Sequence, residues 1–274
     1  MLTLTEEILT KTIRVRPNDS YKGTFGRVVL VGGNANYGGA IIMASTAAVY
    51  AGAGLVTTGT DTNNLSSLHA SLPEAMFVNY YDKVKLSHLV SYATTVVIGP
   101  GLGDDFHSQE VLASVLANIN QSQSVIIDGS AISLLAANPL DIPDTNLIFT
   151  PHEMEWQRLS GIKISDQTSD ANQLVQQQLN ATVVLKKHHT EIYTGKNIYQ
   201  LPIGTPAQAT GGMGDTLAGM IGGFTAQFDN QENAVLAAVY AHSAIADELA
   251  RSQYVVLPHQ ISHALPMFMK RYAN

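Results

Sequence analysis

The stretch RVVLVGGNANYGGAIIMASTAAVYA, residues 27–51, joins an apolar run, a glycine-rich turn and an alanine-rich segment. The apolar run is continuous, mostly β-branched and without polar alternation, which predicts a strand covered on both faces. The segment from Ala40 to Ala51 is typical of a helix. A strand, a turn and a helix in this order form the repeating unit of a parallel sheet.

The same order recurs further along the chain. Each later strand-like run stops at a glycine, a proline or a polar cluster, and these runs cover residues 95–98, 124–127, 146–149 and 182–185. Helix-like segments lie between or after them, at residues 109–119, 167–179 and 235–249. The alternation predicts a mostly parallel central sheet with helices on both faces, an α/β fold.

One segment breaks the parallel pattern. EIYTGKNIYQL, residues 191–201, is typical of an antiparallel hairpin that turns at Gly195 and Lys196. We therefore expect a mixed sheet with an antiparallel edge hairpin. No linker rich in Pro, Gly or Ser divides the chain, so residues 1–274 are predicted to form a single domain.

Composition limits the classes of function. The 274 residues carry a formal net charge of -7 and only 15 Lys and Arg, so the protein is not expected to bind nucleic acid. The absence of cysteine excludes disulfides, iron–sulfur ligation and cysteine nucleophiles, and it fits a reducing compartment. Neither a signal peptide nor a membrane span is apparent. We therefore expect a cytoplasmic protein.

Chemically capable residues follow the predicted strands. Asp128 and His152 come directly after two of the runs, and Lys186 ends a third. In open α/β sheets ligands bind beyond the carboxyl ends of the strands, so these side chains are expected to converge. The alternative interpretations are a structural histidine and a solvated lysine.

The segment QATGGMGDTLAGM, residues 208–220, places one carboxylate after a cluster of glycines. Glycines allow close backbone approach, and a helix that begins near Asp215 would present free N–H groups and a dipole that favour an anion. Asp215 could then remove a proton from a hydroxyl that attacks phosphorus. The alternative is a turn in which Asp215 only stabilises the helix start. No Gly-Lys-Ser/Thr follows, so the segment is not a Walker loop.

Two further glycine-rich loops follow predicted strands, GGNANYGGA at residues 32–40 and GPGLG at residues 99–103. Each alone is compatible with an ordinary connection, but two in one parallel sheet favour a shared ligand. No HExxH spacing is present, so a tight transition-metal site is not expected. The adjacent His188 and His189 are expected in a surface loop.

Five segments together resemble the ribokinase-like NAD(P)H-hydrate dehydratases. In the family's order they are GGNANYGGA with AVYAGAGLVT, then GPGLG, TPHEMEWQRLSG, VVLKKHHT and GGMGDTLAGMIGG. The similarity extends from about Gly26 to about Leu249. It implies a ribokinase-like three-layer sandwich.

The resemblance also implies a repair reaction. NADH or NADPH that has been hydrated at the nicotinamide ring, NADHX or NADPHX, no longer works as a cofactor. The family phosphorylates the added hydroxyl of the S-form with ADP or ATP, and elimination of phosphate restores the reduced cofactor. A chain without an epimerase half is similar to the bacterial members, which typically use ADP and release AMP and phosphate. Magnesium and a homotetramer are likewise implied by the resemblance.

Matching positions carry the family's site residues onto this chain. The expected base is Asp215. The residues expected to contact NAD(P)HX are Ala40, Gly103, His152 and Asp215. Those expected to bind ADP or AMP are Lys186, Lys187, His188, His189, Thr190 and Gly214. The expected anion hole consists of the amides of Gly212, Met213 and Gly214.

The sequence departs from the family's pattern at three positions. Met213 replaces a common threonine, Ser130 stands where a second acid is common, and Lys187 replaces a glycine. Two other functions stay open: a vitamin-precursor kinase of the same fold, which would release a phosphorylated product, and a non-catalytic nucleotide sensor, which would not need Asp215. GGNANYGGA and TPHEMEW favour the dehydratase.

Overall fold

A computed structural model describes residues 1–274 and contains one sheet of ten strands. The strands are β1 (Leu2–Thr3), β2 (Arg27–Val31), β3 (Leu55–Thr60), β4 (Met76–Asn79), β5 (Thr95–Ile98), β6 (Ser124–Ile127), β7 (Asn146–Phe149), β8 (Thr182–Leu185), β9 (Glu191–Tyr193) and β10 (Ile198–Gln200). All the strands predicted above are present. The sequence patterns did not reveal β1, β3 and β4, because β3 is rich in threonine and the other two are short edge strands.

The strand order across the sheet is β1-β10-β9-β8-β7-β6-β5-β2-β3-β4. Only β9 runs antiparallel to its neighbours, β8 and β10, and every other adjacent pair is parallel. The predicted hairpin is therefore confirmed as β9–β10, with the two-residue β1 paired outside it. The parallel strands bring their carboxyl ends to one edge of the sheet.

Eleven α-helices surround the sheet. They are α1 (Glu7–Thr12), α2 (Gly38–Tyr50), α3 (Leu65–Ser71), α4 (Lys83–Ser91), α5 (Phe106–Leu116), α6 (Ser130–Ala137), α7 (Glu153–Ser160), α8 (Ser169–Leu179), α9 (Met213–Gln227), α10 (Gln231–Ala250) and α11 (Pro258–Lys270). The four helices predicted by periodicity are α2, α5, α8 and α10. None of the eleven is both long and apolar enough to cross a membrane.

The helices form two layers with a separate core on each face of the sheet. One core joins residues of α1–α3 and α9–α11 to one face of the strands, and the other joins residues of α4–α7 to the opposite face, with α8 packed against it. This arrangement is the predicted three-layer sandwich. The continuous apolar runs follow from it, because the central strands are buried on both sides.

The close packing of α2 against α9 places the glycine segment at the carboxyl edge of the sheet. A Cβ at Gly223 would lie 2.6 Å from Ala51 Cβ and 3.0 Å from Ala48 O, and a Cβ at Gly219 would overlap the backbone of Ala44. Only glycine permits this approach. These glycines serve helix packing, and they fix the position of the start of α9.

Candidate active site

The predicted site residues lie along the carboxyl edge of the sheet. The main-chain N–H of Lys186 donates to Pro151 O at 2.8 Å, which extends the β7–β8 ladder by one step and pairs His152 with Lys186. Lys186 in turn reaches the start of α9, because its Nζ lies 3.0 Å from the point where a Cβ at Gly214 would stand. The structure thus brings together three segments that are separated along the chain.

The first turn of α9 has free backbone donors. Gly212 is the N-cap, with a φ of +94° that favours glycine, and no side chain caps the helix. The first intrahelical bond of this turn is donated by the amide of Thr216 to Gly212 O at 3.0 Å. The amides of residues 212–215 precede that bond and have no partner within the helix. They include the three amides, of Gly212, Met213 and Gly214, that are expected to hold an anion, and the start of a helix favours negative charge.

Lys186 is held by a buried acid. Its Nζ lies 2.9 Å from Asp128 Oδ1, and the same oxygen accepts the hydroxyl of Thr150 at 2.6 Å. Asp128 is 2% exposed, so the charge of Lys186 compensates a carboxylate that water does not reach. Burial lowers the pKa of Lys186, but the carboxylates of Asp128, Glu155 and Asp215 outweigh it and raise the pKa above its usual value. The ammonium group is therefore charged.

Asp215 lies in the first turn of α9 and is partly buried. Burial raises its pKa to about 6, the negative charge of Asp128 adds to the rise, and Lys186 opposes it. A carboxylate with this pKa is mostly ionised near neutrality and is a stronger base than an ordinary aspartate. This is the range that suits general base catalysis.

His152 begins α7. Its Nδ1 accepts the amides of Met154 at 3.1 Å and Glu155 at 3.3 Å, while the amide of His152 donates to Glu155 Oε2 at 2.8 Å. This capping box leaves the ring proton on Nε2, which lies 3.4 Å from Glu155 Oε1. About half of the His152 side chain is exposed. The helix cap therefore fixes the tautomer and leaves an N–H edge open to a ligand.

Ala40 and Gly103 lie in a neighbouring part of the edge. Ala40 is in the first turn of α2, and its Cβ lies 2.9 Å from the point where a Cβ at Gly101 would stand. The amide of Gly103 donates to Ser130 Oγ at 3.2 Å. Ser130, which replaces the acid common in the family, therefore holds the GPGLG loop through a neutral hydroxyl.

The segment between β8 and β9 is a surface loop, as expected for His188 and His189. Both are exposed, and their ring centroids lie 4.1 Å apart. Lys187 does not face the start of α9, since its Nζ lies 2.8 Å from Oε1 of the buried Glu191. The positive charge that replaces the family's glycine is thus used to anchor the loop to β9.

Three residues near the site are absent from the sets of catalytic and binding residues expected from the sequence. Asp128 was expected at this edge of the sheet because it follows a strand, and Glu155 gives no signal beyond its place in a first helical turn, where an acid stabilises the helix. His242 gave no signal, because it lies within the amphipathic α10. It is buried, its Nδ1 lies 3.4 Å from Gln208 Nε2, and its Nε2 has no hydrogen-bond partner in the chain. Burial lowers the pKa of His242 to about 4, so the ring is neutral.

The arrangement suits phosphoryl transfer to a hydroxyl. Free amides at a helix start can stabilise a transferred phosphoryl, Lys186 supplies positive charge, and Asp215 can accept a proton. A three-layer α/β sandwich with these groups at the carboxyl edge of the sheet defines the ribokinase-like class of nucleotide-dependent proteins.

Comparison with known proteins identifies one family within this ribokinase-like class. Residues 28–267 match the NAD(P)H-hydrate dehydratase family. A protein of Lactiplantibacillus plantarum named ADP-dependent (S)-NAD(P)H-hydrate dehydratase is 55% identical over 274 residues, covering 100% of this chain and 99% of that protein. The chain therefore belongs to the NAD(P)H-hydrate dehydratase family, and it is an enzyme of the lyase class.

Solved structures agree with this assignment. A ribokinase-like superfamily protein from Enterococcus faecalis superposes with a TM-score of 0.98 at 50% identity, covering 100% of this chain and 96% of that one. The ADP/ATP-dependent NAD(P)H-hydrate dehydratase from Bacillus subtilis, co-crystallised with ATP/Mg²⁺, superposes with a TM-score of 0.89 at 30% identity. The superposition covers 99% of this chain and 98% of the Bacillus subtilis chain. The ribokinase-like fold predicted from the sequence is confirmed.

Proposed function

We propose that this protein restores NADH and NADPH from the S-forms of NADHX and NADPHX, with ADP as co-substrate and AMP and phosphate as products. The observation that carries the proposal is the position of Asp215. Its carboxyl group has a pKa of about 6 and lies in the turn that supplies the free amides, beside the charged Lys186. A base, an anion cradle and a cation are the three groups that phosphorylation of a hydroxyl needs.

The reaction follows from these groups. Asp215 accepts the proton of the ring hydroxyl as its oxygen attacks the terminal phosphorus of ADP, and AMP leaves. The amides of residues 212–214 stabilise the charge on the transferred phosphoryl. The C–O bond of the phosphate ester then breaks with help from the ring nitrogen lone pair and phosphate leaves, and transfer of a proton from the adjacent ring carbon to water forms the double bond of NADH. Phosphorylation thereby converts a poor leaving group, hydroxide, into a good one.

The two ligands are assigned to opposite sides of Asp215. We place NAD(P)HX over β2, β5 and β7, against Ala40, Gly103 and His152, and the adenine nucleotide against Gly214 and the loop of residues 186–190. The strand order supports this division, because β8 lies on one side of β7 and β6 while β5 and β2 lie on the other. In this loop, Lys187 would contact the nucleotide only through its main chain, because its ammonium group is paired with Glu191. The unpartnered Nε2 of His242 is a further candidate contact for the nucleotide.

Magnesium fits this site as a companion of the nucleotide. No group of three or more His, Cys, Asp or Glu side chains is arranged to hold a metal ion. Mg²⁺ needs no such cage, since it keeps several waters and binds through substrate phosphates and one or two carboxylates. Asp215 and Asp128, whose charges interact at this edge of the sheet, are carboxylates that could hold it there. Bound there with the nucleotide, the ion would neutralise charge on the phosphoryl group.

We also infer that the protein is a homotetramer in the cytoplasm. The resemblance to the family supports the assembly, and the cysteine-free composition supports a reducing compartment. Light scattering coupled to size exclusion tests the assembly, and a monomer at micromolar concentration would contradict it.

The activity is tested by incubating the protein with NADHX and ADP and following the absorbance of reduced nicotinamide. We expect NADH to return, with AMP formed in equal amount. Failure to restore NADH with either ADP or ATP would refute the proposal. Consumption of nucleotide with build-up of a phosphorylated product would support the kinase alternative, and nucleotide binding without any turnover would support the sensor.

The role of Asp215 is tested by Asp215→Asn, which keeps the shape and removes the base. We expect turnover to fall by ~10²–10⁴-fold, while ADP binding measured by calorimetry stays within a few-fold of the wild type. Asp19→Asn, at an exposed loop position, is the matched control and should keep full activity. Activity of Asp215→Asn within tenfold of the wild type would exclude Asp215 as the base.

A further inference from the structure

Two exposed aromatic side chains stand beside the loops assigned to NAD(P)HX. Tyr37, which directly precedes α2, is 63% exposed, and Phe106, the first residue of α5, is 74% exposed. The chain has seven phenylalanines, and Phe106 is the only one that is exposed. Exposing a phenyl ring forgoes the free energy of its burial, so such a ring at the rim of a ligand site points to a contact made on binding.

Both rings belong to loops that are bound to each other. Tyr37 lies three residues before Ala40, and Phe106 lies three residues after Gly103. The amide of Gly33 donates to Pro100 O at 2.8 Å, and the amide of Asn34 donates to Gly101 O at 2.8 Å. The two aromatic positions are therefore linked through the backbone to the two residues expected to contact the substrate.

The loops are also rigid. Asn34 Oδ1 accepts the amides of Asn36 and Tyr37, at 2.9 and 3.0 Å. Asp105 Oδ1 accepts the amide of Ser108 at 2.8 Å, and the Ser108 hydroxyl shares its one proton between Asp105 Oδ1 at 2.8 Å and Leu102 O at 2.9 Å. The backbones that carry Tyr37 and Phe106 are thus held in place before a ligand arrives, which lowers the entropy cost of binding.

The direction of the substrate follows from the strand order. The reacting ring must lie at Asp215, and the nucleotide loop after β8 occupies one side of it. The other end of a dinucleotide must therefore extend over β5 and β2, where Tyr37 and Phe106 lie. A row of rings continues beyond them: the centroid of His107 is 5.8 Å from that of Phe106 and 6.2 Å from that of Tyr81.

We propose that Tyr37 and Phe106 form a stacking subsite for the adenine base of NADHX and NADPHX, the end of the substrate that does not react. The inference rests on the proposed function. Its chemical basis is that a flat purine offers a π-face to exposed aromatic rings and needs no charged partner there. The subsite supplies binding to the intact dinucleotide and takes no part in phosphoryl transfer.

The test compares two substrates that differ only in the adenylate half: NADHX, and reduced nicotinamide mononucleotide hydrated at the same ring position. With Phe106→Ala or Tyr37→Ala we expect the KM for NADHX to rise about 5- to 100-fold, the range of one base stack. The KM for the mononucleotide and the KM for ADP should not change. Tyr92→Ala removes a tyrosine that is 68% exposed at the opposite edge of the sheet, and it should leave all three constants unchanged.

The outcomes separate this inference from the proposed function. If the wild type restores the reduced ring from neither substrate, the proposed function fails. If the wild type uses both substrates with equal KM, or if the variants raise KM for both equally, the adenine subsite is refuted while the dehydratase activity stands. A change of oligomeric state in the variants, with KM for NADHX unchanged, would show that these rings contact another copy of the chain and would also refute the subsite.

Discussion

The charges of Asp128, Lys186 and Asp215 control one another. Asp128 is buried and bound directly to Lys186, so that pair is close to neutral. For Asp215, burial together with the charge of Asp128 raises the pKa to about 6, although Lys186 opposes the rise. A base of suitable strength therefore results from the environment of an ordinary aspartate.

The raised pKa of Asp215 has a consequence for stability. The folded-state pKa of about 6 exceeds the ordinary value of 3.8 for an aspartate, so the favourable protonated form is lost as pH rises through about 6. Asp215→Asn should therefore raise the free energy of unfolding at pH 8 by roughly 1 to 2 kcal/mol, after allowance for partial solvent exposure. At pH 4 the variant and the wild type should differ little.

Urea unfolding at the two pH values measures this difference. Asp19→Asn, whose carboxyl group is exposed, should show no pH-dependent gain. An Asp215→Asn variant that is less stable than the wild type at pH 8 would contradict the assigned pKa shift.

At the scale of the elements, a side chain at the start of α9 would meet Lys186 at one position and open space at another. A Cβ at Gly214 would lie 3.0 Å from Lys186 Nζ, whereas nothing lies within 4 Å of a Cβ at Gly211. The absence of a side chain at Gly214 therefore gives the ammonium group access to the helix start.

This difference predicts the effect of two matched substitutions. Gly214→Ala should displace Lys186 and raise the KM for ADP about tenfold, with little loss of stability because alanine favours the helix and the lysine end can move. Gly211→Ala is the control and should leave the KM for ADP within about twofold of the wild type. Steady-state kinetics and thermal unfolding measure both, and equal effects of the two variants would contradict the role given to Lys186.

A network of side-chain contacts, which begins at Lys187 in the loop itself, anchors the loop after β8. Lys187 binds Glu191, the Tyr193 hydroxyl donates to the same acid, Asn172 Nδ2 donates to Tyr193 OH at 3.0 Å, and Trp156 Nε1 donates to Asn172 Oδ1 at 2.7 Å. This network links the loop assigned to the nucleotide with α7, which carries His152. The lysine that departs from the family's pattern is thereby accounted for.

At the scale of the whole molecule, one sheet carries a core on each face. The same strands contribute alternate residues to both cores, so neither core can form without the sheet. This supports the prediction of a single domain over residues 1–274, and it predicts one cooperative unfolding transition at a fixed protein concentration.

Trp156, the only tryptophan, reports on one of the cores and is fully buried. Its fluorescence and the far-ultraviolet circular dichroism should change together during urea unfolding. The double variant Trp156→Phe with Phe228→Trp moves the tryptophan to the core on the other face of the sheet. Its fluorescence and its circular dichroism should give the same unfolding midpoint. Separate midpoints for the two faces would contradict a single domain.

Much of the architecture could be predicted from local patterns. The uninterrupted runs of β2, β5, β6, β7 and β8 revealed the buried parallel strands, because a strand covered on both faces has no polar side. The positions of β3 and β4 could not be predicted, since threonine-rich or short edge strands lack that signature. Of the site, the glycine segment, Asp215, His152 and Lys186 were identifiable, because each stands at a strand end or a helix start.

The amino-acid sequence thus indicated the central strands and their helices, the edge of the sheet at which a ligand is expected and residues able to act there. These properties depend on near neighbours along the chain. The pairing of Lys186 with Asp128, the diversion of Lys187 to Glu191, the unpartnered nitrogen of His242 and the raised pKa of Asp215 emerged only in the folded protein. Burial and charge act between residues that are distant in sequence and adjacent in space, and folding alone brings these residues together.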